Sequence, residues 1–248
     1  DTARIYGNLY SRGGSEGGNG GFIETSGLKG FEILNAPDVG AIYGSGGTWL
    51  IDPYDIVIKS ATNTGINTNQ KTFTSIGTAT LGISNITSAL ENGSTVIVQT
   101  GSGGGDDGNI TLAADLKFDF STDATLRFLA HNDIILNKSI QRKNDNVTGT
   151  LNLELIANKD NVDGGNITIT NGVNIATNGG YFYAGKSAAE IDGRLGDDYT
   201  NKVVDFTSTG ATIDTYGAFG GGDIVINATN NVSLGVLKFG YDYLNAYK

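Results

Sequence analysis

Residues 109–112 read NITL and residues 133–136 read DIIL. The same unit, Asn or Asp followed by Ile, a β-former and a further aliphatic residue, recurs as DIVI at 55–58, NITI at 166–169 and DIVI at 223–226. Successive starts lie 54, 24, 33 and 57 residues apart, which fits one or more rounds of a loose period in the twenties. Between the copies stand TVIVQT (95–100), TLRFLA (125–130), LNLELIA (151–157), VNIAT (173–177) and YFYAG (181–185). Alternation with a period of two over four to six residues marks a half-buried strand, and helical periodicity is missing almost throughout. The chain therefore reads as nearly all β.

Glycine-rich or Asn/Asp-rich turns precede several of these units: GSGGGDDG before NITL, KDNVDGG before NITI and YGAFGGG before the last DIVI. Glycine reaches positive φ without steric cost, and Asn and Asp tolerate left-handed backbone, so such clusters turn one strand sharply into the next. GGNGGFIETSG at 17–27 follows the same logic, glycine at the corner and an apolar pair in the strand. Short strands, frequent turns and an inexact repeat lead to the expectation of a parallel β-helix, or β-solenoid, whose coils stack ~4.8 Å apart. At that period the chain makes roughly ten coils and a rod of roughly 45–50 Å. Some of the Asn residues are expected to form ladders across coils. A β-sandwich or β-propeller is the alternative, and NG at 92–93 and 171–172 leaves hairpins open.

The composition bounds the function. Glycine supplies 38 of 248 residues, about twice the usual ~7%, but two prolines and 38% hydrophobic residues describe a folded chain and not collagen. No linker-like break divides it, so residues 1–248 read as one domain. There is no cysteine, hence no disulfide, and no apolar run reaches the ~18 residues of a membrane span. A formal charge of −10 argues against sequence-independent nucleic-acid binding, which needs a basic footprint. Methionine is absent even at position 1, which leads to the expectation of a fragment of something longer.

The first sixty residues add a resemblance. Arg12-Gly13-Gly14, the run from Gly17 to Gly27, then Trp49-Leu50-Ile51-Asp52-Pro53 and Asp55-Ile56 form a long ordered pattern. It resembles the segment shared by exoproteins of the two-partner secretion pathway, the filamentous haemagglutinins and high-molecular-weight adhesins of Gram-negative bacteria. GNITLAAD, ATLRFLAHNDIILNKSI, GTLNLELIA and ITNGVNIATNGG are similar to the repeats of that family. The resemblance implies a right-handed parallel β-helix, exported through an outer-membrane transporter partner, displayed at the bacterial surface and attached to host cells, often through glycans. The chain is much shorter than such proteins, which leads to the expectation of a fragment without their amino-terminal secretion domain, carrying a piece of the shaft or a binding region. Some high-molecular-weight adhesins are similar in carrying single hexoses on Asn.

Carbohydrate recognition uses a flat aromatic ring and planar polar groups, which makes Trp49, Tyr54, Tyr181, Tyr183 and Tyr216 the aromatic candidates. Lys138, Arg142 and Lys143 are the densest positive cluster and suit an anionic sugar. Stacking on neighbouring coils and a solvated turn are the plain structural explanations of the two sets. Asn-x-Ser/Thr occurs at Asn85, Asn92, Asn109, Asn137, Asn146, Asn166, Asn227 and Asn231, the glycosylation candidates. Asn109 and Asn166 also open strand units. The pairs Asp106-Asp107 and Asp197-Asp198 lie in polar turns, and His131 has no cysteine or Ser-nucleophile motif beside it, so no catalytic set, metal site or cofactor is read. GGGDD and GGGDI lack the regular nine-residue spacing of calcium β-rolls. Thr-x-Thr spacing at 72–83 and 207–215, of the kind that forms a flat ice-binding face in some solenoids, occurs only in short patches, and Thr is common on exposed strand faces. The reading is a secreted surface adhesin without enzymatic activity whose partner is a host receptor or glycan. The competing readings are a β-helix enzyme acting on polysaccharide and an inert shaft.

Overall fold

The computed structural model describes residues 2–27, 30–60, 79–101, 106–144, 147–162, 164–185, 203–218 and 220–240. An adhesin reading of the sequence looks for protruding loops near 62–80 and 186–202, and these stretches fall almost wholly outside the described residues, as do Asn146 and Asp197-Asp198.

Strands dominate, and they assemble into three principal sheets whose pairings are all parallel. The first sheet holds, in spatial order, Phe22–Thr25, Thr48–Ile51, Thr95–Gln99, Ala124–Leu129, Leu151–Ile156, Phe182–Ala184 and Ile224–Ile226. In the second, Ala79–Gly82 and Ile56–Lys59 are followed by Ile110–Leu112, Ile134–Leu136, Ile167–Ile169, Asp205–Thr207 and Asn231–Ser233. The third holds Leu116–Phe118, Ile140–Arg142, Asn174–Ala176, Thr212–Asp214 and Val236–Lys238. From Thr95 onward the chain visits the first, second and third sheets in strict rotation, five times. Neither NG pair joins antiparallel neighbours: Asn171-Gly172 turns the chain from the second sheet into the third, and Gly93 donates its N–H to Leu90 O at 2.9 Å. Antiparallel pairing among the described residues is confined to Tyr216–Gly217 with Gly220–Gly221 and an isolated bridge between Gly14 and Gly17.

Register explains why the hydrophobic pattern selects this arrangement. In-register parallel stacking sets each inward residue on its counterpart in the next strand, and a slip of one residue would turn the whole apolar row to solvent. Ile56, Ile110, Ile134, Ile167 and Phe206 form one such column, and Leu116, Ile140, Ile175 and Ile213 another. Trp49, Val96, Leu126, Leu153 and Phe182 form the third. All of these side chains are buried in one continuous core, and each contributes on the order of 1.5–3 kcal/mol.

A polar column runs beside the apolar ones at the entry to the second sheet. Asp55 Oδ1 accepts the backbone N–H of Asn109 at 2.7 Å, and Asn109 Oδ1 accepts that of Asp133 at 3.0 Å. Asp133 Oδ1 accepts from Asn166 at 2.7 Å, Asn166 Oδ1 from Asp205 at 3.1 Å, and Asp205 Oδ1 from Asn231 at 2.9 Å. Charged and neutral residues alternate, so carboxylates sit two strand spacings apart, about 9.6 Å, where salt screens them. The expected Asn ladder is thus an Asp/Asn ladder.

The repeat units divide between faces. Four of the five lie in the second sheet, but Asp223–Ile226 belongs to the first, where Ile224 pairs with Phe182. The first sheet has seven strands among the described residues, fewer than the roughly ten coils expected, because some rounds of the chain are long. The round from Thr48 to Thr95 contains residues 61–78 and a helix, α1 (Ile83–Leu90), that the sequence pattern did not announce. No side chain caps its start, and it is anchored by burial of Asn85, Ile86, Ala89 and Leu90. It follows a second-sheet strand, precedes a first-sheet strand and packs on Leu116–Phe118, so it occupies the place of a third-sheet strand.

Glycine in the 17–27 run has a second cause beyond turning. Gly20 and Gly47 have ordinary φ, yet a Cβ on Gly20 would overlap the Val39 carbonyl oxygen, and one on Gly47 would overlap that of Gly21. Backbone lies directly on backbone at this end of the chain.

Candidate functional site

The outer face of the first sheet brings together residues from three adjacent strands. Arg127, Glu154 and Tyr183 are register partners on successive strands, and they point away from the aliphatic column. Tyr181 stands next to this row, with ring centroids 4.1 Å from Tyr183 and planes 14° apart. Its hydroxyl donates to Glu154 Oε1 at 2.7 Å, while Arg127 Nε lies 2.7 Å from Glu154 Oε2. The Tyr181 backbone N–H donates to Asn152 Oδ1 at 3.2 Å, which fixes the entry to the strand.

The electrostatics follow from burial. Glu154 is 3% exposed, and Arg127 compensates its charge directly. Desolvation, then the hydrogen bond and negative charge of Glu154, push the Tyr181 phenol far above its ordinary range, so it stays protonated. The patch is formally neutral at pH 7 and offers a stacked aromatic pair beside an arginine whose terminal nitrogens take no partner among the described residues.

The remaining sequence candidates fall elsewhere. Trp49 is fully buried and its indole N–H donates to Thr25 Oγ1 at 2.8 Å, so it presents no ring face to a sugar. This is the inter-coil packing weighed against recognition, and it corrects the placement of Trp49 among accessible rings. Tyr183 is 6% exposed and contributes chiefly through its stack on Tyr181. Tyr54 is half-buried, and Tyr216 is exposed in the small antiparallel pair. Lys138 is exposed, Arg142 Nη1 donates to Asn178 Oδ1 at 3.2 Å, and Lys143 lies 3.6 Å from Asp119. These cations run along and beside the third sheet, whereas Tyr183 belongs to the first, with Tyr181 directly before its strand; Tyr216 follows the third-sheet strand Thr212–Asp214.

Among the Asn-x-Ser/Thr residues, Asn109, Asn166 and Asn231 are rungs of the ladder. Asn85 is buried in α1 and donates to Ile33 O at 3.3 Å, and Asn227 is half-buried. Asn92 and Asn137 are exposed. Asp106 is half-buried and Asp107 exposed, and no group of three or more metal-ligating side chains occurs among the described residues.

One titratable cluster was invisible in sequence. His131 Nδ1 meets Asp160 Oδ2 at 2.7 Å, 29 residues away, and Lys159 Nζ lies 3.0 Å from Asp160 Oδ1. Desolvation works to raise Asp160, but hydrogen bonds from His131 and Lys159 outweigh it and hold the carboxyl below its ordinary range. Asp52 nearby is raised by desolvation, against a 3.1 Å hydrogen bond from Gln99 Nε2. The signal for Arg127 and Glu154 was present in TLRFLA and LNLELIA: a charge at an outward position of an otherwise apolar strand. Compared with known proteins, the chain matches no protein-family model and no curated protein. None of the described helices is long and apolar enough to cross a membrane.

Proposed function

We propose that residues 1–248 form a single right-handed parallel β-helix of the two-partner secretion type, and that this rod is a secreted surface adhesin of a Gram-negative bacterium attaching to host-cell glycans. The observation that carries the reading is the fivefold rotation of the chain through three parallel sheets, with like residues stacked in register. A repetitive stack needs no disulfide, and each round adds to the exposed edge of the last, which suits a chain that crosses an outer-membrane transporter unfolded and folds outside. The ordered pattern from Arg12 through Gly17–Gly27 to Trp49–Asp55 supports the family assignment. On the outer face of the first sheet, the half-buried Tyr181 and Arg127 supply the ring and planar polar group that sugar recognition uses, held in place by the buried Tyr183 and Glu154.

The test is adherence. Purified protein is expected to bind host epithelial cells saturably and to lose that binding when surface glycans are removed enzymatically. Binding that survives glycan removal, or no binding at all, overturns the glycan reading. Release of sugar fragments from polysaccharide incubated with the protein would overturn the adhesin reading in favour of an enzyme.

A further inference from the structure

A helix lies where the stacking calls for a strand, and the mismatch opens a cleft. A strand occupies ~4.8 Å of a stack, whereas a helix with side chains is ~10 Å across. Where α1 replaces a third-sheet strand it stands off from the chain segments before it, leaving a cleft of about 490 Å³ between them. One wall is the exposed face of α1 and its continuation, Ser84, Ser88 and Asn92, at four-residue spacing. The opposite wall is two stacked segments, in which Asn35 Nδ2 donates to Asn8 Oδ1 at 2.8 Å and Tyr10 bridges Asp38 in parallel. The buried Asn85 ties the helix to the earlier segment through Ile33 O, so the cleft is held at a fixed width.

The chemistry of the lining is specific. Arg12 Nε donates to Asp38 Oδ2 at 2.6 Å, so the principal charges in the cleft cancel each other. The same guanidinium lies 4.8 Å from the ring centroid of Tyr10, which is 61% exposed. Asn8 Nδ2 and Asn35 Oδ1 remain as a donor and an acceptor without a partner among the described residues, and Ser84 and Ser88 line the same cleft. Alternating donors and acceptors beside an aromatic ring, without net charge, match vicinal hydroxyls on a pyranose with an apolar face.

The geometry points to this cleft as a binding site for an uncharged oligosaccharide, apart from the outer face of the first sheet. The inference rests on the glycan-attachment reading and names the sugar class and where it sits. The experiment is a glycan array followed by titration of the neutral hits with the whole chain and two variants. Ser88→Trp fills the cleft from an exposed helix position, and Tyr10→Ala removes the ring; thermal melting checks that both fold. The expected result is binding to neutral glycans, weakened about tenfold or more by each variant, with Val162→Ala, at an exposed position outside both the cleft and the first-sheet patch, leaving it unchanged. Neutral-glycan binding that both folded variants retain overturns the cleft alone. Binding only to sialylated or sulfated glycans, lost on charge reversal at Arg142 and Lys143, also overturns the cleft and leaves glycan attachment standing. No glycan binding by the unaltered chain overturns both.

Discussion

Asp133 accepts the backbone N–H of Asn166 at 2.7 Å, and the two residues are neighbouring rungs of a ladder that alternates charge with amide. Asn166→Asp keeps an oxygen for the Asp205 N–H but sets three carboxylates ~4.8 Å apart in a row. The expected cost at pH 7 is about 1–2 kcal/mol. The introduced carboxyl is raised by its neighbours, so the penalty is present above its folded pKa and fades as acid protonates it. Urea unfolding of the variant and the wild type at neutral pH and at about pH 3 checks this, and a cost independent of pH would contradict the electrostatic account.

Asp160 provides a second pH dependence of known sign. Its folded pKa lies below the ordinary value, with hydrogen bonds from His131 and Lys159 overcoming desolvation. A depressed carboxyl contributes stability above its unfolded pKa and loses it as pH falls through the folded one. Asp160→Asn is therefore expected to destabilise the protein at pH 6 to 7, with the difference closing below the normal carboxylate range. Asp52, raised by desolvation, has the opposite sign, and Asp52→Asn is expected to stabilise at neutral pH. Melting curves across pH measure both.

The single tryptophan reports on the core. Trp49 is fully buried, so its emission is expected to be blue-shifted and poorly quenched by acrylamide until the protein unfolds. Trp49→Ala is expected to cost ~3–5 kcal/mol. Emission that shifts on addition of a bound glycan would contradict the placement.

Gly47→Ala and Gly7→Ala separate close packing from turn formation. A Cβ at 47 meets the Gly21 carbonyl, whereas one at 7 meets nothing within 4 Å. The expected losses are more than ~2 kcal/mol for the first and about 0.5 kcal/mol or less for the second, read from chemical denaturation.

If the native host glycosylates the chain, mass spectrometry of its peptides is expected to find hexose on Asn92 and Asn137. Asn85, Asn109 and Asn166 are expected to be bare, because burial or the ladder already engages them. Modification of Asn166 in folded protein would contradict the ladder.

Much of the architecture could be read from alternation. The Ile-x-aliphatic units declared strands, and four of the five share a sheet because each begins with a residue that accepts from the next coil. The pattern did not say which sheet a unit joins, since every inward face asks for the same aliphatic spacing. Asp223–Ile226 therefore went to the first sheet, while Asp205–Thr207 and Asn231–Ser233, with Phe206 and Val232 in place of Ile, took the second. ISNITSAL hid α1: its β-branched residues suit strands, and eight residues are too few to show a helical period. The tyrosines were legible as types. Their partners Glu154 and Arg127 depend on register across 27 residues or more, which only the stack supplies.

The central claim is that neighbouring strands run the same way in register, and the absence of cysteine makes cross-linking a direct test. Ala113 and Asn137 follow strands paired in parallel, Ile110 with Ile134 and Leu112 with Leu136. Cysteines at these two positions are placed ~5 Å apart, within disulfide range, whereas Asn109 and Asn137 are separated by four residues along the strand, roughly 13 Å. Under mild oxidation, A113C/N137C is predicted to form an intramolecular disulfide and N109C/N137C to stay reduced. The reverse outcome would mean that the strands run in opposite directions and would contradict the account.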